Sequence, residues 1–197
     1  MSNGLPRVVL VTGVPGSGKS TLGRHIAEHL RVPFLARDDI RGGLLFSAGA
    51  WSDELRRVPS SDEAVEVFLT AVEGLLRCGV SCVIEYVIRR DRPADLERIV
   101  ALSDCVVIIT NCDDPMRRVV ERNSVDPLIA NRAVLNAVGA SSVAQHTAEL
   151  VKRMQQVEHD MMRDFALPIL DVETTTTYQP SIDEIIGFAT LQAADAD

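Results

Sequence analysis

The sequence predicts an α/β fold in which a five-stranded, mostly parallel sheet is covered by helices on both faces. Five apolar, strand-like runs alternate with segments of helical periodicity, and such an alternation is typical of parallel strands joined by crossover helices. The runs cover residues 8–11, 33–36, 80–85, 105–109 and 168–172. A glycine-rich turn follows the first run directly and leads into a helical pattern. These observations predict a three-layer architecture.

The length and composition predict one domain with a substantial core. The chain has 197 residues, of which 46% are hydrophobic, so we expect a single domain over residues 1–197. No apolar run approaches the roughly 18 residues that a membrane helix needs, and no secretory leader is recognisable. The four cysteines form no C-x-x-C pair, which favours reduced thiols. We therefore expect a cytoplasmic protein with no membrane partner.

The charge of the chain bears on its partners. The formal net charge is −8, and aromatic residues make up only 4% of the chain. Proteins that hold nucleic acid usually show a basic stripe and stacking aromatic side chains. Arginines cluster at residues 89–92 and 117–122, and guanidinium groups suit phosphate oxygens. The composition favours a local phosphate clamp on an acidic body over a long polynucleotide groove.

Two capping boxes predict where helices begin. Ser60 and Glu63 open one helix, which Gly79 closes. Ser181 and Glu184 open the last helix in the same way.

Irregular segments separate some of these elements. We expect an acceptor-binding loop at about residues 46–60, which contains the sole tryptophan, Trp51, and a lid at about residues 116–140. A long helical pattern covers residues 142–165, and the threonine run 174–177 is interpreted as a loop.

The glycine-rich turn has the spacing of a phosphate-binding loop. Gly13, four further residues and Gly18-Lys19-Ser20 fit the pattern G-x-x-x-x-G-K-[ST]. Glycines let backbone N–H groups approach phosphates, and the helix that begins near Gly18 adds its own N-terminal N–H groups. Lys19 supplies a positive charge for the β- and γ-phosphates, and the Ser20 hydroxyl supplies a ligand for Mg²⁺. The predicted ATP-binding residues are Gly13, Val14, Pro15, Gly16, Ser17, Gly18, Lys19, Ser20 and Thr21.

The residues after the second strand are further candidates, because ligands of parallel sheets lie beyond the carboxyl ends of the strands. Asp38 is placed to cap the helix that follows. The same carboxylate could orient or deprotonate an attacking hydroxyl, as phosphoryl transfer requires. Arg41, one turn later, could hold a phosphate or an acidic group of the acceptor.

The segments GVPGSGKST and RDDIR together resemble a group of P-loop kinases that includes polynucleotide 5′-hydroxyl kinase, zeta toxins and chloramphenicol phosphotransferase. The resemblance implies a P-loop NTPase fold of the nucleoside-kinase-like type that uses ATP and Mg²⁺. It implies that Asp38 is the base and that Arg41 contacts the substrate. The segment DPMRRVVERNS resembles the lid entry of the group, which implies that Arg118 and Arg122 contact the ATP phosphates.

Two positions depart from the pattern of that group. The third strand commonly ends in an aspartate near the metal, whereas it ends here in Glu85, which is one methylene longer. The position four residues after Arg122 is commonly basic in the polynucleotide kinases, whereas it is Asp126 here. Either Arg132 replaces that base, or Arg118 and Arg122 suffice without it.

We expect a kinase that transfers the γ-phosphoryl group of ATP, with Mg²⁺, to a hydroxyl of a small molecule. The predicted catalytic residues are Asp38, Lys19, Arg118 and Arg122, Ser20 is the predicted metal ligand, and the predicted acceptor-binding residues are Arg41, Trp51, Glu85 and Arg89. A polynucleotide 5′-hydroxyl kinase and a non-enzymatic ATP-binding regulator are the alternatives. A GTPase is disfavoured, because the run at residues 111–114 imitates N-K-x-D but lacks its lysine.

Overall fold

The computed structural model describes residues 4–48, 60–89, 91–115, 117–118, 121, 162 and 164–190. Within these residues, five strands form one sheet in the order β2-β3-β1-β4-β5, and every neighbouring pair is parallel. The strands are β1 (Arg7–Gly13), β2 (Phe34–Ala36), β3 (Cys82–Glu85), β4 (Asp104–Asn111) and β5 (Ile169–Glu173). The predicted five-stranded sheet is confirmed.

Five helices lie wholly within the described part of the chain: α1 (Lys19–Leu30), α2 (Arg37–Ser47), α3 (Ser61–Arg77), α4 (Pro93–Val100) and α5 (Ile182–Thr190). Both predicted helix starts are confirmed. The Ser60 hydroxyl caps α3 by accepting from the Glu63 N–H at 3.0 Å. The Ser181 N–H donates to the Glu184 carboxylate at 2.9 Å. Gly79, at a φ of +75°, follows the end of α3. None of the described helices is long and apolar enough to cross a membrane.

The predicted acceptor loop at about residues 46–60 begins two residues inside α2, whereas its last residue directly precedes α3. Phe46 and Ser47 belong to α2, and Ser60 is the cap of α3. The helix continues this far because Leu45, only 3% exposed, is buried in the core at the last turn of α2. Residues 49–59, which include Trp51, lie outside the described residues.

The two faces of the sheet are both buried, as near-continuous apolar strands require. Along β1, Val8 and Leu10 belong to a core cluster shared with α3 and α4, and Val9 and Val11 belong to a cluster shared with α1 and α5. All four cysteines are free thiols, as predicted. Burial raises the pKa of Cys105 to about 12.

Strand register brings the predicted site to one edge of the sheet. Glu85 lies opposite Val11 on one side and Ala36 on the other. Gly13 lies opposite Thr110 of β4. Because all five strands point the same way, the residues that follow each of them meet beyond their common carboxyl edge.

Candidate active site

The loop between β1 and α1 has, at both of its ends, a backbone conformation that strongly favours glycine. Gly13 has a φ of +135°, and Gly18, which caps α1, has a φ of +87°. A Cβ on Gly13 would lie 2.3 Å from the carbonyl oxygen of Thr110. Since that oxygen belongs to the backbone of a central strand, it cannot move aside cheaply. The glycine spacing seen in the sequence is therefore a requirement of this loop.

Buried hydroxyl groups support the same loop from below. The Ser17 hydroxyl donates to the Val14 carbonyl at 2.7 Å, and its oxygen lies 2.6 Å from the hydroxyl oxygen of Thr110. The Thr110 hydroxyl in turn donates to the Thr12 carbonyl at 3.1 Å. All three hydroxyl-bearing residues are fully buried. The loop is thus attached to both β1 and β4.

The remaining predicted ATP-binding residues follow the course of the loop. Lys19 is the first residue of α1 and is only 8% exposed. Its Nζ donates to the Val14 carbonyl at 2.9 Å, so the side chain folds back over the loop. The other positions range from buried to exposed: Val14 and Ser17 are buried, Pro15, Gly16, Gly18 and Ser20 are partly buried, and Thr21 is exposed.

Glu85, at the end of β3, lies beside the start of α1. Its carboxylate is hydrogen-bonded to the Ser20 side chain. Burial raises the pKa of Glu85, and the nearby Lys19 ammonium and the Ser20 hydrogen bond oppose that shift only in part. A hydroxyl in contact with a carboxylate offers two oxygen atoms, and oxygen is the ligand atom that Mg²⁺ prefers. The residues present therefore fit a magnesium ion at this place.

Replacing Glu85 with Gln should make the protein more stable at pH 7 and weaken its use of Mg²⁺. The carboxyl of Glu85 has an ordinary pKa of 4.5, and folding raises this pKa. As the pH rises above 4.5, the folded protein therefore holds its proton longer than the unfolded chain, and the free energy of unfolding falls. The amide removes this cost, so the melting temperature of Glu85→Gln should exceed that of the wild type at pH 7, and the difference should vanish below about pH 4. The apparent Mg²⁺ affinity should fall by about 10- to 100-fold.

The matched control for that prediction is Glu97→Gln, which changes an exposed carboxylate on α4. Thermal melts at pH 4 and pH 7, with Mg²⁺ titrations of the activity, make the comparison. A Glu85→Gln protein that melts below the wild type at pH 7 would contradict the inferred cost of burying this carboxylate.

The prediction that Asp38 caps the helix after β2 is wrong. Helix α2 begins at Arg37, and Ala36 occupies the capping position. Because β2 passes directly into α2, Asp38 falls in the first turn, where a carboxylate still interacts favourably with the helix dipole. Asp38 is 61% exposed and accepts from Arg37 at 2.7 Å. Its neighbour Asp39 pairs instead with Arg24 of α1 at 2.6 Å.

Arg41 lies one turn after Asp38 on α2 and is partly buried. Burial lowers the pKa of its guanidinium, the nearby Arg37 lowers it further, and Asp38 opposes both effects. The structure thus places a partly desolvated cation next to the candidate base.

Arg89 lies in an ion-pair cluster beyond β3. Its guanidinium donates to both carboxylate oxygens of Asp91, at 3.0 and 2.6 Å, and lies 4.0 Å from Asp62 at the start of α3. Arg92 joins the cluster by pairing with Asp62 at 2.6 Å and with Asp95 at 3.0 Å. An acceptor that binds Arg89 must therefore compete with Asp91.

Arg118 lies beside the phosphate loop. It is in helical backbone after Asp114, whose carboxylate accepts from the Arg117 N–H at 3.0 Å. The Arg118 guanidinium donates to the hydroxyl of Thr174 at 3.0 Å and to the carbonyl of Thr175 at 2.7 Å. Its Nη1 is 3.7 Å from the point where a Cβ of Gly18 would stand.

Several predicted features fall outside the described residues. Trp51 and Arg122 are among them, together with Asp126, Arg132, almost all of the predicted lid and most of the predicted helix at residues 142–165. Met162, from the end of that pattern, is helical and fully buried.

Sequence reasoning missed two threonines that touch the loop, Thr110 and Thr174. Thr174 was open to prediction, because it directly follows β5 and so obeys the rule that singled out Asp38. Thr110 gave no such signal, since it lies within a buried strand and resembles any other β-branched strand residue.

The order of the strands and the loop between β1 and α1 define the class of protein, a P-loop domain with a kinase-like fold. The sequence profile of the AAA domain family matches residues 9–137. This match covers more than half of the chain, and the chain belongs to that family.

Curated relatives match parts of the chain. It is 40% identical to the shikimate kinase of Mycobacterium avium over 80 residues, which are 38% of this chain and 44% of that protein. It is 33% identical to the cytidylate kinase of Methanococcoides burtonii over 60 residues, 30% of this chain and 34% of that protein. The chain therefore spans less than half of the length of either relative.

A solved structure resembles the whole fold. It is that of a provisionally assigned kinase of Chloroflexus aurantiacus, with a TM-score of 0.69, 23% sequence identity, and coverage of 95% of this chain and 100% of that chain. At this identity the likeness establishes the fold alone.

Proposed function

We propose that the protein is an ATP-dependent kinase that transfers the γ-phosphoryl group to a hydroxyl of a small molecule bearing an anionic group. The observation that carries the proposal is the position of Glu85 at the end of β3, between β1, which leads into the phosphate loop, and β2, which leads into α2. A candidate phosphate and metal site on α1 and a candidate base on α2 thus lie on either side of one carboxylate. ATP is the proposed donor, with Mg²⁺.

The loop and the start of α1 form the ATP side of the site. Backbone N–H groups of the loop, such as those of Gly16 and Gly18, and the Lys19 ammonium would hold the β- and γ-phosphates. The Ser20 hydroxyl, with Glu85 beside it, would hold Mg²⁺, which neutralises phosphate charge when bound. For this purpose the Lys19 Nζ would exchange its hydrogen bond to the Val14 carbonyl for one to a phosphate oxygen.

Asp38 is the proposed base on the acceptor side. The acceptor oxygen forms a bond to the γ-phosphorus, the bond from that phosphorus to the ADP oxygen breaks, and the hydroxyl proton passes to the Asp38 carboxylate. The exposed position of Asp38 leaves it open to an incoming acceptor, and its partner Arg37 can hold it in place meanwhile.

The electrostatic environment of Arg41 is the reason for proposing an anionic group on the acceptor. A partly buried guanidinium next to a second guanidinium is electrostatically costly, and a bound carboxylate or phosphate offsets that cost through charge-assisted hydrogen bonds. The helical spacing from Asp38 to Arg41 puts the two side chains on one face of α2. One acceptor molecule could therefore contact both with its hydroxyl and its anionic group.

The relatives and the RDDIR segment give further support. The partial matches are to proteins named for shikimate, a carboxylate, and for cytidylate, a nucleoside monophosphate. The RDDIR segment favours a relationship between this protein and the group of kinases that includes polynucleotide kinase, zeta toxins and chloramphenicol phosphotransferase.

The test is acceptor-dependent release of ADP from Mg-ATP across a panel of compounds. Hydroxy acids and nucleoside 5′-monophosphates should be used at least about tenfold more efficiently, as kcat/KM, than their uncharged methyl esters and nucleosides. Arg41→Met should reduce that preference by about 10- to 100-fold, because a hydrogen bond to a charged group contributes about 1.5–3 kcal/mol. Arg77→Met, at an exposed position on α3, is the control.

Three results would each overturn part of the proposal. Equal use of charged and neutral acceptors would contradict the proposal that the acceptor bears an anionic group. Efficient phosphorylation of 5′-hydroxyl oligonucleotides, weakening steeply as salt rises, would establish the polynucleotide kinase instead. ATP binding with no ADP release for any acceptor would indicate a regulator.

A further inference from the structure

A threonine after β5 joins parts of the site that are far apart in the sequence. Thr174 is 7% exposed. Its hydroxyl oxygen lies 2.8 Å from the carbonyl oxygen of Ser17 in the phosphate loop and 3.1 Å from that of Asn111 at the end of β4. The same oxygen accepts from the guanidinium of Arg118 at 3.0 Å. One side chain thus contacts three elements of the site.

The backbone around Thr174 is itself held on both sides. The Glu173 carboxylate accepts from the N–H groups of Thr174 and Thr175 at 2.8 and 2.7 Å, and also from the Thr175 hydroxyl. Burial opposes ionisation of Glu173, but these hydrogen bonds outweigh it and lower the pKa of its carboxyl. The Asp113 N–H donates to the Thr175 hydroxyl at 3.0 Å. Thr174 is therefore presented from a firmly held loop.

The contact with Ser17 controls the direction of a neighbouring N–H group. The Ser17 carbonyl and the Gly18 N–H belong to one planar trans peptide unit, so they point in opposite directions. Because Thr174 holds the Ser17 carbonyl, the Gly18 N–H points away from Thr174. Glycine at position 18 has no Cβ to restrain this rotation, and a φ of +87° is among several that glycine readily adopts.

Arg118 reinforces this arrangement. Its Nη2 donates to the Thr174 carbonyl at 2.5 Å and to the Thr175 carbonyl at 2.7 Å, while its Nη1 donates to the Thr174 hydroxyl. Because the guanidinium can only donate, the hydroxyl accepts from Arg118 and directs its single proton to the carbonyls of Ser17 and Asn111, which can only accept. The guanidinium therefore orients the threonine hydroxyl towards the loop.

We propose that Thr174 is a positioning residue, which orients the Ser17–Gly18 peptide for phosphate binding and is itself oriented by Arg118. The inference rests on the proposed function only in that the phosphate belongs to ATP. It makes the loop after β5 a part of the phosphate site, although none of its side chains need touch the phosphates.

The test compares Thr174→Val, which removes the hydroxyl at nearly constant volume, with Thr174→Ser, which keeps it. Thr176→Val, at an exposed position of the same loop, is the control. Amide hydrogen exchange of residues 13–20 in the nucleotide-free protein should accelerate about tenfold in Thr174→Val, and the Kd for ATP should rise about tenfold. Turnover at saturating ATP and acceptor should stay within about threefold of the wild type, since chemistry is untouched.

The two remaining variants should match the wild type within about twofold in exchange and Kd. Unchanged exchange of the β1 and β4 amides checks that Thr174→Val is folded. The inference is wrong if the loop amides of Thr174→Val exchange at the wild-type rate. It is also wrong if Thr174→Ser changes the exchange rate and the Kd for ATP as much as Thr174→Val does. Should the wild type release no ADP with any acceptor, the kinase proposal fails, whereas the exchange measurement still decides the role of Thr174.

Discussion

Asp38→Asn should slow phosphoryl transfer by about 10²–10⁴ and leave the Kd for ATP unchanged, if Asp38 orients or deprotonates the acceptor hydroxyl. An amide keeps the size of the carboxylate and cannot accept the proton. The loss should appear in kcat, because the proton moves only as the transition state forms. Single-turnover ADP formation with a saturating acceptor measures this step directly.

The structure makes this substitution a clean one. Since Ala36 caps α2, Asn at position 38 removes no capping hydrogen bond. The ion pair with Arg37 is largely exposed, and such pairs contribute about 0–1 kcal/mol. The stability of the protein should therefore hardly change.

The next residue supplies the matched control. Asp39 is 62% exposed, lies in the same first turn and pairs with Arg24. Asp39→Asn makes the same chemical change in the same helix, and its rate should stay within about threefold of the wild type. If Asp38→Asn keeps the full rate of transfer, or if the two variants lose the same factor in rate, Asp38 has no catalytic role. Its remaining role is then the favourable interaction with the dipole of α2.

Lys19→Met should slow phosphoryl transfer by about 10²–10³, as the loss of one electrostatic stabiliser typically does. Methionine is the informative replacement, because Lys19 is only 8% exposed and its stem fills space that alanine would leave empty. The variant loses the hydrogen bond to the Val14 carbonyl, which contributes about 0.5–1.5 kcal/mol to stability, and should remain folded.

The control for Lys19 is Arg24→Met, which removes a cation from the exposed face of the same helix. Both proteins should be compared in kcat/KM for ATP and in melting temperature. Near-normal transfer by Lys19→Met at a normal melting temperature would exclude the phosphate-loop assignment of Lys19.

The five strands and the two capped helix starts were accessible from local patterns in the sequence. Apolar runs such as residues 8–11 predict strands buried on both faces, and the box of Ser60 and Glu63 acts within one helical turn. The capping role assigned to Asp38 failed because helix propensity does not say where a short strand ends. Here β2 ends at Ala36 and α2 follows without a turn.

Local pattern was likewise sufficient for the phosphate loop, because Gly13, Gly18 and Lys19 act within eight residues of one another and their spacing is itself the signal. The contacts around that loop depend on register between distant strands. Thr110 reaches it because β4 pairs with β1, Glu85 because β3 does, and Thr174 because β5 ends beside β4. No spacing along the chain encodes these distances, since burial of both faces of the sheet sets the register.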